Sequence, residues 1–69
     1  MYGLKDLSEF NGYSDWVSMI EDYLFSSCVP GICTNCGYTT ITEPDQSHGY
    51  CEFCNKNAIK SCLYLAGVI

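Results

Sequence analysis

The chain has 69 residues, six cysteines and a net charge of −5, with 48% hydrophobic and 14% aromatic residues. A chain this short forms one domain, here residues 1–69, whose core alone is marginal, so a metal or disulfides commonly add stability. Three lysines and no arginine leave no basic cluster to neutralise phosphates. This argues against autonomous nucleic-acid binding and against binding to an anionic membrane surface.

The expected compartment is the cytoplasm. The start, MYGLKDLSEFNG, lacks the basic and apolar regions of a secretory signal, and the apolar run LYLAGVI is too short to span a bilayer. Because cytoplasmic thiols stay reduced, metal binding is favoured over disulfides for the paired cysteines. A disulfide scaffold is the alternative use of six cysteines.

An amphipathic helix is predicted over residues 13–27. Its apolar residues recur at the spacing of one helix face: Trp16, Met19, Ile20, Tyr23 and Leu24. Ser14 is the candidate N-cap, Asp15 lies in the first turn, and the sequence VPG after the helix stops it.

The middle of the chain, residues 33–54, is predicted to form one β-hairpin. The β-branched and aromatic sequence YTTIT, residues 38–42, is typical of a strand, and Pro44 with Asp45 suits a turn. The sequence SHGY then leads back, so that a cysteine pair lies at each end of the hairpin.

A short C-terminal helix is predicted over residues 57–67. Asn57 can cap its start and Gly67 can end it, while Ile59, Cys62 and Leu63 share one helical face. A strand is the alternative interpretation of the ending CLYLAGVI.

Two Cys-x-x-Cys pairs predict a four-cysteine metal site formed by Cys33, Cys36, Cys51 and Cys54. Residues 37–50 separate the pairs, a spacer just below the roughly 15–20 residues of similar zinc sites. The residue after each pair commonly needs a positive φ, and Gly37 and Asn55 are the residue types that best tolerate it. Four thiolate ligands would fill a tetrahedral site, which predicts a structural metal and no catalysis.

These four cysteines, with Gly37 and the intervening hairpin, resemble a zinc ribbon. The resemblance implies a small α+β fold with two Cys-x-x-Cys knuckles and one structural Zn²⁺, between an N-terminal helix and a short C-terminal helix. The ending SCLYLAGVI is similar to that of small zinc-ribbon proteins carried by bacteriophages. Such a fold predicts a non-catalytic protein-interaction or regulatory module, although zinc-ribbon folds serve many functions.

Two other functions remain open. The first pair, followed by Gly37 and Tyr38, also resembles rubredoxin, which implies an iron-bound electron carrier, although the spacer here is shorter. Zinc ribbons of the transcription machinery imply binding to polymerase or nucleic acid. Glu43 and Asp45 resemble the acidic pair on the hairpin of the transcript-cleavage elongation factor, but Pro44 separates them here.

The predicted partner is a protein with a basic or apolar surface, because the chain is acidic and rich in aromatic residues. The candidate partner surface consists of Trp16, Tyr23, Glu43 and Asp45. Cys28 and Cys62 are expected to be buried as small apolar side chains, with a redox-dependent bond between them or a spare ligand role as the alternatives. His48 is expected to be an ordinary hairpin residue, with replacement of one cysteine ligand as the alternative.

Overall fold

The computed structural model describes residues 2–69 and confirms a small α+β fold. Its helices are α1 (Leu4–Phe10), α2 (Trp16–Tyr23) and α3 (Cys62–Leu65). Its strands are β1 (Val29–Cys33), β2 (Thr39–Thr42), β3 (Gly49–Cys51) and β4 (Lys56–Ser61).

The strands form a four-stranded antiparallel sheet in the order β2-β1-β4-β3. Strands β1 and β4 therefore occupy the centre, and β2 and β3 lie at opposite edges. Pro30 is tolerated in a central strand because it precedes Gly31, where pairing with β4 begins. The sheet is continuous from edge to edge through the β1–β4 pair.

The predicted single hairpin over residues 33–54 is wrong. Its two strands exist as β2 and β3, but their backbone hydrogen bonds go to β1 and β4 and not to each other. Each Cys-x-x-Cys pair instead lies in the turn of a separate hairpin, β1–β2 or β3–β4. The prediction failed because it assigned no strand to the segments before Cys33 and after Cys54.

The predicted helix over residues 57–67 is also wrong in most of its length. Residues 56–61 form β4, which pairs with strands on both sides, and only Cys62–Leu65 is helical. Ile59 is buried in the sheet, so tertiary packing outweighs the helical spacing of the apolar residues. Ser61 ends the strand and caps α3, where its hydroxyl accepts the Tyr64 N–H at 3.0 Å.

Helix α2 is shorter than the predicted 13–27 segment. Asp15, not Ser14, is its N-cap, because the Asp15 side chain accepts the Ser18 N–H at 2.8 Å. The Tyr13 hydroxyl also donates to Asp22 at 2.7 Å and joins the preceding segment to the helix. Met19 and Ile20 are buried as the helix-face pattern predicts.

Helix α1 was not predicted from the sequence. Asp6 accepts the Gly3 N–H at 2.9 Å and so satisfies one backbone donor at the helix start. Leu7 is fully buried, and the Asn11–Gly12 turn ends the helix. Leu4 and Leu7 at helical spacing followed by Asn-Gly are the signals that could have found it.

The main core lies where the three helices meet the sheet. Its buried members come from every helix and from β1: Leu7, Met19, Ile20, Val29, Ile32, Cys62 and Leu63. A second, smaller buried cluster contains Cys33, Cys51 and Ile59. The candidate metal site therefore lies in its own small core, separate from the helical one.

The connection from β2 to β3 is fixed to β4. Ser61 donates its backbone N–H to the Gln46 carbonyl at 2.9 Å and its hydroxyl to the Pro44 carbonyl. The Lys60 ammonium group donates to the Ser47 carbonyl at 2.8 Å. These bonds hold the crossing segment, residues 43–48, against β4.

Ser61→Ala is expected to lower the free energy of unfolding by about 1–3 kcal/mol, because a helix cap and a buried hydrogen bond to Pro44 are both lost. Ser47→Ala is the matched control, since the Ser47 hydroxyl contacts only exposed His48 and should change stability by less than about 0.5 kcal/mol. Urea denaturation of both variants tests this. Equal midpoints for the two variants would contradict the role of Ser61.

Candidate metal centre

Four cysteine sulfurs converge between the two hairpin turns. Cys33 ends β1 and Cys36 follows in the turn to β2, while Cys51 ends β3 and Cys54 follows in the turn to β4. Their sulfur atoms all lie within 4.8 Å of one another. The central pairing of β1 with β4 brings the two turns to the same end of the sheet, which is why residues distant in sequence meet there.

The sulfur separations match a metal site and not disulfides. Cys33 Sγ lies 3.6 Å from Cys54 Sγ, and Cys36 Sγ lies 3.5 Å from Cys51 Sγ. A disulfide needs about 2.05 Å. Four sulfurs at about 2.3 Å from a tetrahedral metal ion lie about 3.8 Å apart, so the donor set fits such an ion. All six cysteines of the chain are free thiols.

Both turns have the backbone conformation that the sequence predicts. Gly37 has φ 85° and Asn55 has φ 59°, the only non-glycine residue with a positive φ in residues 2–69. Gly37 N–H donates to the Cys33 carbonyl and Asn55 N–H to the Cys51 carbonyl, both at 2.9 Å. The two turns are therefore built alike and each directs its pair of sulfurs to the same point.

Burial differs among the four cysteines. Cys33 and Cys51 are 0% exposed, whereas Cys36 and Cys54 lie nearer the surface. The first cysteine of each pair thus anchors the site in the small core beside Ile59. The second cysteine of each pair closes the cluster on its outer side.

Two aromatic rings join the turns across the cluster. Tyr38, which follows Gly37, contacts Phe53, which lies between the cysteines of the second pair, with ring centroids 4.5 Å apart and planes tilted by 37°. These rings, with Cys36 and Gly37, line an open cavity of about 360 Å³. No role was predicted for Phe53 from the sequence, although its position between two candidate ligands indicates that it lies at the site.

The N-terminus supports the first turn from the other side. The Tyr2 N–H donates to the Thr34 carbonyl at 3.1 Å, and the Tyr2 ring lies against Gly37. Thr34 in turn donates its backbone N–H to the Ala58 carbonyl in β4 at 2.9 Å. These contacts fix the first turn to both the N-terminus and the central strand.

As free thiols, the clustered cysteines compete for protons. The Asn35 side chain and the neighbouring thiols lower the pKa of Cys54 to about 7. The Tyr38 N–H lowers the pKa of Cys36, but desolvation and the other three thiols outweigh it and raise the value to about 12. Crowded thiols therefore cannot all ionise together, and a cation would have to replace the protons on binding.

The remaining cysteines and the histidine lie apart from this cluster. Cys62 is 0% exposed, as expected, and burial raises the pKa of its thiol. Cys28 was expected to be buried but is exposed in the segment before β1. His48 is exposed, its Nδ1 lies 2.8 Å from the Ser47 hydroxyl, and it does not belong to the group of candidate ligands.

The candidate partner residues lie on two different elements. Trp16 and Tyr23 are on α2, where Trp16 is 41% exposed but Tyr23 packs against the main core. Glu43 and Asp45 are exposed in the connection between β2 and β3. Their role in partner binding stays a prediction.

Comparisons with protein-family models, with curated proteins and with solved structures gave no match. None of the helices in residues 2–69 has the length and apolar character required to cross a membrane.

Gly37→Ala is expected to weaken folding by about 1–2 kcal/mol, because an L-residue is strained at φ 85° and the added carbon would contact the Tyr2 ring. Both Asn55→Ala and Asn55→Gly lose the exposed hydrogen bond from the Tyr50 hydroxyl to the Asn55 side chain. Because only alanine is also strained at φ 59°, Asn55→Gly should be more stable than Asn55→Ala by about 1 kcal/mol. Chemical denaturation with excess metal ranks the three variants. An Asn55→Gly variant less stable than Asn55→Ala would contradict the backbone argument.

Proposed function

We propose that the protein is a structural zinc module of the zinc-ribbon type, whose role is to bind another protein. The observation that carries the metal proposal is the convergence of Cys33, Cys36, Cys51 and Cys54 within 4.8 Å from two turns of the same design. All-thiolate tetrahedral donor sets are typical of structural zinc. Iron also suits tetrahedral sulfur ligands, so metal identity is decided by experiment.

A structural role follows from the completeness of the ligand set. Catalytic zinc commonly has three protein ligands and one position open to water or substrate, whereas four cysteines leave none open. Nucleophilic chemistry by a cysteine would need a base and an orienting group. His48 contacts Ser47 and lies outside the cysteine cluster, which disfavours a cysteine–histidine pair. We therefore infer that the protein is not an enzyme.

Metal binding should supply much of the stability at this end of the molecule. The small core contains one buried aliphatic residue, Ile59, beside the buried cysteines, and Cys54 and Ala58 pack against it. Apolar burial on that scale is small compared with the roughly 10–16 kcal/mol apparent for structural zinc in small domains. Zinc would thus hold the β1–β2 and β3–β4 turns together.

A protein partner fits the charge and the surface better than a nucleic acid does. The net charge of −5 repels phosphates, and four thiolates on a divalent ion would add about two negative charges. Several large apolar side chains nevertheless remain exposed, among them Phe10, Phe25 and Phe53 at 72%, 99% and 73%. An acidic surface with exposed aromatic residues suits a protein partner that is basic or apolar.

Native mass spectrometry of the reduced protein is expected to find one zinc ion per chain. Cys54→Ser should lose the metal, whereas Cys28→Ser should retain it, because Cys28 is exposed and outside the cluster. Removal of zinc by a chelator should abolish most of the strand signal in circular dichroism. Readdition of zinc should restore it.

Three other outcomes of these measurements would change or contradict the structural-zinc proposal. One iron per chain and a red, redox-active sample would replace this proposal by the rubredoxin-like electron carrier. Loss of metal in Cys28→Ser would show that the four ligands were misassigned. Near-native circular dichroism after complete metal removal would contradict a structural metal.

Fluorescence anisotropy with labelled duplex DNA and single-stranded RNA at low salt should show no binding by the zinc-loaded protein. The reason is that binding to phosphates depends on lysine and arginine side chains, which this acidic chain largely lacks. Salt-dependent binding in this titration would instead support a nucleic-acid-binding ribbon.

A further inference from the structure

Helix α2 has an apolar flank that packs against nothing in the main core. The core takes Met19, Ile20 and Tyr23 from one face of the helix. Val17 and Leu24, seven residues apart, lie on a neighbouring face because seven residues complete nearly two helical turns. Leu24 keeps helical dihedral angles, φ −53° and ψ −36°, so this geometry holds to the end of α2.

We name Val17 and Glu21 on α2, together with Leu24 and Phe25 directly after it, the outer flank of α2. Glu21 lies between Val17 and Leu24 at helical spacing, and Phe25 follows directly. Val17 is 49%, Leu24 38% and Phe25 99% exposed. The Phe25 side chain makes almost no contact with its own chain and lies beside the exposed aliphatic residues Val17 and Leu24. Such a group of exposed apolar side chains is typical of a binding surface.

The charge of the segment that carries this flank, with Glu21 exposed within the flank itself, indicates what covers it. Residues 2–23 contain five of the eight acidic residues and one of the three lysines, so they carry −4 of the chain's net charge of −5. The two N-terminal helices that these residues form contact each other. Two copies facing each other through this region would bring like charges together, whereas a positively charged surface would be attracted.

We propose that the outer flank of α2 docks onto a positively charged protein surface, with Phe25 inserted in an apolar pocket. This inference deepens the proposed interaction role and rests on it. It also moves the predicted partner surface from Tyr23, which packs against the core, to Phe25 just after α2. Attraction of opposite charges would speed encounter, and burial of Phe25 would slow dissociation.

Site-specific photo-crosslinking in the organism that makes the protein tests the proposal. p-Benzoylphenylalanine is placed at position 25 in one sample and, as matched control, at position 41, where Ile41 is 68% exposed on the edge strand β2. Position 25 is expected to capture a positively charged protein that position 41 does not capture. The captured protein is then purified and titrated with the zinc-loaded chain.

In that titration Phe25→Ser should raise the Kd at least tenfold, and Ile41→Ser should leave it unchanged. Glu21→Lys should also raise the Kd, and higher ionic strength should weaken binding of the native chain. Zinc content and circular dichroism should be unchanged in all three variants, because every substituted side chain is exposed. This separates a docking defect from a folding defect.

The proposal is overturned by the absence of a specific crosslink from position 25, by a crosslink to a second copy of the chain, or by an acidic partner. Salt-insensitive binding, or binding unaffected by Phe25→Ser, also overturns it. These outcomes leave the zinc proposal intact if the chain still holds one zinc ion. A native chain without bound metal would instead overturn the structural-zinc proposal itself.

Discussion

Electrostatic repulsion among four sulfurs is the constraint on which the cysteine-rich end of the molecule depends. Two unit negative charges 4 Å apart repel by about 4 kcal/mol at an effective dielectric constant of 20. The cysteine sulfurs lie within 4.8 Å of one another, so four thiolates at this spacing require either protons or a cation between them. A divalent ion would turn this repulsion into a crosslink between the β1–β2 and β3–β4 turns. The pairing of β1 with β4 places these two turns at the same end of the sheet, where such an ion would be bound.

The sequence predicts the local chemistry of the site well. Cys-x-x-Cys spacing and the residue types at Gly37 and Asn55 are short-range signals, and both positive φ values are found. The same holds for the buried face of α2, where Met19 and Ile20 follow helical periodicity. In each case a few consecutive residues determine the outcome, so no knowledge of distant partners is required.

The predictions that failed concern segments whose structure depends on pairing with strands distant in the sequence. The helical spacing of Ile59, Cys62 and Leu63 favoured a helix over residues 57–67, yet residues 56–61 form a central strand because β1 and β3 offer hydrogen bonds on both sides. Residues 29–31, VPG, were predicted only to stop the preceding helix, and their place in strand β1 is evident only once β2 and β4 are positioned. The Tyr38–Phe53 contact likewise needs both turns in position. Strand propensity is strongly dependent on such context, which a single sequence does not display.

The two cores are stabilised in different ways. The helical core is held by ordinary apolar packing and leaves the outer flank of α2 exposed, while the small core around Ile59 depends on the cysteine cluster. X-ray absorption spectroscopy of the purified protein would show directly whether the four cysteines bind zinc. We expect a zinc edge and a single shell of four sulfur atoms at about 2.3 Å. A shell containing nitrogen or oxygen ligands, or fewer than four sulfurs, would contradict it.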